Sequence, residues 1–352
     1  MRGLVLDGVG QVSYRVDLPD PVITAPTDAI VAVHRAGLCG SDLHPYEGRE
    51  PIRFGVIPGH EAMGEVVAVG AAVSGIDVGR RVLVPFTTSC GSCDTCLSGL
   101  SARCRLGELF GYGAPDERER PALDGGQAEF VRVPLADGTL VEVPDGFTDA
   151  EAVLLTDNFP TGWEAAARAG IEPDQTAAVV GLGAVGLCAV ASAFALGAQQ
   201  VVAIDPVESR RGLAGALGAT DATPGEALAA VTLASNGRGV GAVIEAAGTV
   251  AAQALASSLL RPGGTLSVIA VQTTDRFGFS PVEAYDANLT VRFGRASVRA
   301  ALDRLLPRFP DGLPLPAELI VTHDDIPLAE GPETYRAFAS REGGMVKALF
   351  HP

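Results

Sequence analysis

The chain has 352 residues, 47% hydrophobic, with 43 Gly and 24 Pro; this suits a globular protein with many turns and is too long for one typical core, so two domains are expected. A formal net charge of −16 disfavours a nucleic-acid backbone or an anionic membrane surface as partner. No run approaches the roughly 20 apolar residues of a membrane span, and the first residues reach Asp7 before an apolar signal-peptide core can develop, so a cytoplasmic protein is expected.

Residues 1–144 read as short β segments punctuated by Gly and Pro, with strands over 4–6, 29–33, 64–69, 81–84 and 128–133. Such a β-rich domain carries its chemistry on loops. Cys39-Gly40-Ser41-Asp42-Leu43-His44 offers a thiolate, a hydroxyl, a carboxylate and an imidazole within one short stretch, and Pro58-Gly59-His60-Glu61 adds a second imidazole and carboxylate. A zinc ion that does chemistry needs three protein ligands and one open position; Cys39 and His60 are candidates for two of them. Further on, Cys90, Cys93, Cys96 and Cys104 have the spacing C-x2-C-x2-C-x7-C on a stretch without strand or helix pattern. Four thiolates so placed fit a closed tetrahedral zinc site that stabilises a lobe, residues 88–106, lacking a core of its own. Free or oxidised thiols are the alternative, as is a zinc knuckle on nucleic acid with Arg103 and Arg105 beside Cys104, which the acidic balance opposes. Cys188, alone in an apolar helical run, reads as buried filler.

Near Asp149 the pattern changes. Residues 149–155 read as a helix opened by an Asp cap and 161–169 as an Ala-rich helix opened by Thr161; between them Asp157 alone reads as a cap or turn carboxylate. Residues 175–181 form an apolar strand, followed by Gly181-Leu182-Gly183-Ala184-Val185-Gly186 and a helix over 184–196. In strand-turn-helix context this glycine pattern permits a tight turn and close approach of a pyrophosphate to a helix N-terminus. A second strand over 200–204 ends at Asp205, nineteen residues past Gly186, where a carboxylate can accept hydrogen bonds from the adenosine ribose and repel a 2′-phosphate. NAD is therefore preferred over NADP, with Arg210 and Arg211 as the residues that could favour a phosphate instead. Strands over 240–245, 266–271 and 289–293, with a helix over 250–260 and a turn at 262–264, continue the alternation and imply a doubly wound parallel sheet. A helix over 298–309, a strand over 319–322, a helix over 329–339 and a strand over 345–350 close the chain.

Cys-Gly-Ser-Asp-x-His followed by Gly-His-Glu, the four-cysteine lobe and the glycine-rich turn together resemble the zinc-dependent medium-chain alcohol dehydrogenases over nearly the whole chain. The segment 156–162 is similar to the formaldehyde-dehydrogenase-like branch, and Glu47, Arg49 and Glu50 would suit a polyol or sugar. The resemblance implies an α/β protein: a GroES-like β-rich catalytic domain over 1–156, a Rossmann domain over 157–294, and a C-terminal return to the catalytic domain over 295–352. It implies two zinc ions per chain and makes Asp157 the third ligand of the catalytic one, with Glu61 able to enter the metal sphere. Ser41 and His44 match a proton relay, and Asp42 a carboxylate that orients His60. Lys347, assisted by Arg299, matches a position used against the cofactor pyrophosphate; Val271 and Gln272 fall where backbone groups meet the nicotinamide amide. Phe86, Tyr112, Phe159 and Trp163 are candidates for the pocket wall. The implied activity is hydride transfer between an alcohol and NAD, giving an aldehyde or ketone, by a dimer or tetramer whose sheet could extend through residues 289–294. An NADPH-dependent carbonyl reductase and a non-catalytic NAD-binding protein are the alternatives.

Overall fold

The computed structural model describes residues 1–112, 123–309 and 312–352, which fall into two compact units. The first comprises Met1–Asp157, Ser297–Arg308 and Val321–Pro352; the second comprises Asn158–Ala296 and Phe309–Ile320.

In the first unit, β1 (Gly3–Gly8) and β2 (Gln11–Arg15) pair as an antiparallel hairpin. The larger sheet is built from β3 (Ala29–Leu38), β4 (Ala62–Val69), β5 (Arg81–Val84), β6 (Phe130–Val133) and β7 (Val141–Glu142). The strand predicted over 29–33 runs on to Leu38, because β3 is held by neighbours along its length: β4 over most of it, β6 near its start and the closing strand of the chain near its end. That extension delivers Cys39 to a 3-10 turn, Gly40–Asp42, and the one-turn helix α1 (Leu43–Tyr46). The helix α2 (Asp149–Thr156) is opened by Thr148 rather than Asp149: Thr148 Oγ1 accepts from Glu151 N at 3.3 Å while Glu151 accepts from Thr148 N at 2.8 Å. It ends at Asp157, whose φ of −152° leaves the helical region.

The second unit starts with α3 (Asn158–Ala169), three residues before the predicted Thr161 start; Pro160 sits in the first turn, where a missing N–H costs nothing. Among the described residues its sheet has the order β10-β9-β8-β11-β12-β13, all parallel, formed by β8 (Thr176–Val180), β9 (Gln200–Ile204), β10 (Thr220–Ala222), β11 (Val240–Glu245), β12 (Leu260–Val268) and β13 (Thr290–Phe293). The order reverses between β8 and β11, the switch point beside which doubly wound sheets bind ligands. The helix α4 (Ala184–Ala195) follows β8 directly. The predicted turn at 262–264 is instead an irregularity inside β12, where the pairing with β11 jumps from Leu260 to Thr265. The central strands read as continuous apolar runs because both faces of the sheet are covered. Ala178, Val180, Val202, Ile204, Val243 and Leu266 are buried in one core, and Ala177, Val179, Val201 and Ala203, which alternate with them, are buried as well.

The chain returns to the first unit as α5 (Val298–Leu305), then as β14 (Val321–Pro327) and β15 (Lys347–His351). Residues 319 and 320, the first half of the strand predicted over 319–322, lie instead in a helical turn, Ala317–Ile320, because Leu319 N and Ile320 N both donate to Pro316 O at 3.1 Å. β15 lies antiparallel against β3, with Ala348 opposite Leu38.

Candidate metal centres and dinucleotide loop

Strand β3 and the start of β4 bring two loops together. Cys39 follows β3, His60 and Glu61 precede β4, and Asp157 closes α2; one potential ligand atom from each lies within 4.8 Å of the others, and all four residues are buried. Cys39 Sγ is 3.7 Å from Asp157 Oδ2, and His60 Nε2 is 3.7 Å from the same oxygen. A tetrahedral zinc with bonds of about 2.0–2.3 Å puts neighbouring ligand atoms about 3.4–3.8 Å apart, so thiol, imidazole and carboxylate fit one ion. Asp42 Oδ1 stands 3.0 Å from His60 Nδ1, which leaves Nε2 for the cluster, while Asp42 Oδ2 accepts from Cys39 N at 2.9 Å. Burial pushes the Cys39 thiol up; burial would lower His60, but Asp42, Asp157 and Cys39 together hold it well above the usual histidine range. A protein that assembles these groups without a cation has to keep protons among them, and a dication replaces those protons.

Ser41 Oγ lies 3.3 Å from Cys39 Sγ and 3.2 Å from His60 Nε2, beside the candidate ligand atoms. His44, on α1, is lowered to about 4 by burial and by the Arg49 guanidinium, so its ring is neutral at physiological pH. Since its folded value lies below the unfolded one, the folded state binds fewer protons, and the stability His44 contributes is lost as pH falls from about 6.5 toward 4. An NMR titration of His44 should therefore show a midpoint well below the ordinary histidine value; an unshifted midpoint would contradict the burial of this ring. Of the residues considered for a polyol, Arg49 is paired with Glu47 at 2.6 Å, and Glu50 stands 3.9 Å from His44 Nδ1. Phe86 and Tyr112 flank the His60 ring with centroids 6.3 and 6.2 Å away, and Tyr112 donates to Ser41 O at 2.8 Å. Phe159 is fully buried, and Trp163 packs edge-on against Phe309 with centroids 5.3 Å apart.

Lys347 lies elsewhere than expected. It is 1% exposed, and its Nζ donates to Glu61 Oε1 at 2.8 Å, Glu61 Oε2 at 2.7 Å and Leu38 O at 3.2 Å, so the ammonium is enclosed beside the metal cluster rather than turned toward a pyrophosphate. Arg299, its expected assistant, is engaged by Asp303 one helical turn on.

The second cluster is the cysteine lobe. Cys93 Sγ is 3.5 Å from Cys96 Sγ and 3.9 Å from Cys104 Sγ, close to the roughly 3.8 Å between sulfurs sharing a zinc at 2.3 Å. Hydrogen bonds from Thr95 and from the Arg105 and Cys96 backbones bring Cys93 down to about 5, whereas burial and the neighbouring Cys93 and Cys104 push Cys96 up to about 12. Four such thiols cannot all ionise together without a cation.

In the second unit Gly181, with φ +93°, ends β8, and an added Cβ at Gly186 would stand 1.8 Å from Gly181 O, so helix α4 can close on the strand only with glycine there. Ala184 and Val185 occupy the first turn of α4 behind the cap Gly183. Asp205 Oδ2 accepts from Leu182 N at 2.8 Å and its Oδ1 from Val207 N at 2.8 Å, which fixes the carboxylate against the loop. Arg211 is spent on the carbonyls of Asp205 and Pro206 at 2.9 and 3.0 Å, while Arg210 is half-buried on the same helix, Glu208–Ala216. Sequence reasoning missed Glu245, the carboxylate ending an apolar strand. It is fully buried, is pushed up by that burial, and accepts from Ala247 N and Gly248 N at 2.8 and 2.7 Å. It thereby shapes the turn that faces Gly181 across the switch point. Val271 O lies against Gly248, and Gln272 is held by Gln253 at 2.5 Å.

Comparison with known proteins agrees with this geometry. Residues 25–145 match the family "Alcohol dehydrogenase GroES-like domain" and residues 184–306 match "Zinc-binding dehydrogenase". A Mycobacterium tuberculosis protein named as a probable zinc-binding alcohol dehydrogenase is 39% identical over 353 residues, covering 100% of this chain and 89% of that protein. The glutathione-independent formaldehyde dehydrogenase of Pseudomonas aeruginosa is 36% identical over 220 residues, 58% of this chain and 54% of that protein. Among solved structures, the alcohol dehydrogenase TADH of Thermus sp. ATN1 superposes with a TM-score of 0.91 at 33% identity, over 100% of this chain and 99% of that one.

Proposed function

Because the chain belongs to the zinc-dependent medium-chain alcohol dehydrogenases, we propose that it is an oxidoreductase moving hydride between a small alcohol and NAD, with an aldehyde or ketone as product. The observation that carries this reading is the convergence of Cys39, His60, Glu61 and Asp157. Cys39, His60 and Asp157 would hold a zinc ion, and such an ion would supply a Lewis acid able to draw a hydroxyl pKa from about 16 toward 7. The residues do the rest. Cys39 and Asp157 balance the dication, Asp42 fixes the ring of His60, and Phe86 and Tyr112 shield the ligands from water. Ser41, whose hydroxyl already touches two of the ligand atoms, takes the proton of the alcohol, and His44 passes it on. NAD would supply the hydride acceptor, and Gly181, Gly183, Ala184, Val185 and Gly186 are the residues that would cradle its pyrophosphate.

Asp205 supports NAD over NADP, since a second anion beside its carboxylate is repelled and Arg211 is already committed. Nicotinamide absorbance followed with simple alcohols, polyols and aldehydes, with each nucleotide in turn, should show turnover with NAD that a zinc chelator stops. Asp205→Ser should weaken NAD binding by about 1.5–3 kcal/mol, the scale of a hydrogen bond to a charged group. Tighter binding of NADP than NAD by the unaltered protein would overturn the cofactor reading. Failure to turn over any of the panel, by protein that holds two zinc ions and binds NAD, would favour a non-catalytic dinucleotide-binding role.

Cysteines grouped as metal ligands support a cytoplasmic reading; no described helix is long and apolar enough to cross a membrane. The support for a homo-oligomer is β13, an edge strand with Thr290, Arg292 and Phe293 exposed, near a ring cluster in which Phe277 lies tilted against Phe293 with centroids 5.4 Å apart. An uncovered edge of this kind invites pairing with a second copy. Light scattering should give a dimer or tetramer at micromolar concentration; a monomer there would refute this.

A further inference from the structure

Two buried ions stand next to the metal cluster without a role in the chemistry described so far. Lys347 is 1% exposed and Glu61 0%, and removing two such charges from water costs several kcal/mol each unless their geometry compensates. It does: the three N–H groups of the ammonium find the two oxygens of Glu61 and Leu38 O, which leaves none free. β15 sets this reach. Ala348 is in register with Leu38, which puts Lys347 beside the end of β3 where Cys39 begins, and Thr322 fixes the backbone of β15 at that point by accepting from Val346 N at 2.9 Å. On its other side the carboxylate fills the space of an absent side chain: a Cβ on Gly37 would stand 2.0 Å from Glu61 Oε2. Glu61 is thus confined between an ammonium and a bare backbone, although its oxygen is close enough to the other three ligands to share a metal with them.

Resting on the zinc reading given above, we infer that Lys347 is a positioning residue that keeps Glu61 out of the metal's fourth position. Zinc with Cys39, Asp157 and neutral His60 has no net charge; Glu61 alone would make the site anionic and a weaker Lewis acid, and Lys347 returns the sum to zero. The same ion pair holds the carboxylate on Lys347 and Gly37, so that the open position stays available to an alcohol oxygen. Loss of Lys347 frees Glu61 to become a fourth ligand.

The test uses cobalt(II) in place of zinc, with the spectrum of Cys39→Ala, whose cobalt resides only in the cysteine lobe, subtracted. In the unaltered protein, added pyrazole should shift the d–d bands, because the fourth position is open. In Lys347→Met the bands should already be shifted and no longer respond to pyrazole, and metal loss to a chelator should slow by about tenfold or more, the scale on which groups beside metal ligands change affinity. The double variant Glu61→Gln/Lys347→Met, which removes both ions and leaves no buried charge unpaired, should recover the pyrazole response and the original rate of metal loss. Should Lys347→Met fail to fold, X-ray absorption of the unaltered cobalt protein decides: one carboxylate oxygen at the catalytic ion supports the inference, and two overturn it. A pyrazole response in Lys347→Met equal to that of the unaltered protein would also overturn it. If the unaltered protein takes up no cobalt beyond that of Cys39→Ala, the zinc reading itself fails.

Discussion

Cys39→Ala is expected to lower kcat/KM by about 10³-fold or more, since Lewis-acid stabilisation is worth several kcal/mol and each 1.36 kcal/mol is a factor of ten. Cys39 is the soft member of its cluster, and its replacement leaves His60 and Asp157 as the remaining proposed ligands, too few to hold zinc firmly. Zinc analysis should fall from two ions per chain to one, while thermal unfolding changes little, because Cys39 lies at the end of β3 and the strand remains bonded to β4 and β15. Asp157→Asn should be milder: the amide still offers an oxygen, but one negative charge is lost. Turnover within tenfold of the original by Cys39→Ala, with one zinc per chain, would exclude metal-assisted hydride transfer at this site.

Cys104→Ser should have the largest effect on stability. The base of the lobe is tied down, with Ser89 N donating to Thr139 Oγ1 at 3.0 Å, but the part that carries Cys93 and Cys96 has few other contacts. Leu97, Leu100 and Leu106 are 75%, 48% and 55% exposed, so the hydrophobic contribution is small. Arg105 pairs with Asp94 at the surface, a contact worth at most about 1 kcal/mol. Two long hydrogen bonds from backbone amides, Ala102 N to Ser297 Oγ at 3.4 Å and Ala300 N to Ser101 Oγ at 3.3 Å, tether its far side to the start of α5 and the residue before it. Structural zinc contributes about 10–16 kcal/mol in small peptides that fold around it, so loss of one of four thiolates should cost several kcal/mol. The expected readings are a melting temperature lower by several degrees, protease cleavage within residues 88–106, and retention of the catalytic zinc. An unchanged melting temperature with the lobe's zinc absent would show that the cysteines are not structural.

Much of this was legible in the chain because the informative residues are neighbours in sequence. The glycines from 181 to 186, the four cysteines and the loop from Cys39 to His44 each fall within a few residues, so spacing alone constrains the local geometry. Asp157 was less so: it lies 118 residues from Cys39, and only the resemblance singled it out from other carboxylates at helix ends. Lys347 could not be placed from sequence, since its ion pair with Glu61 spans 286 residues and depends on the register of β15 against β3. Glu245 had a signal, a lone carboxylate closing an apolar strand, but its hydrogen bonds go to the backbone of a turn that no periodicity describes. The helical turn at Ala317–Ile320 shows tertiary context and Pro316 overriding an apolar stretch that resembles a strand.

Strand β3 is bonded to β4, β6 and β15, and Cys39, the proposed thiolate ligand, follows it directly. Amides near its end are therefore among those that open only with the whole unit, so deuterium should enter them last. The metal-binding loop then inherits the slow breathing of the sheet rather than the fast motion of a surface turn, and heat should end activity when the unit melts and not before.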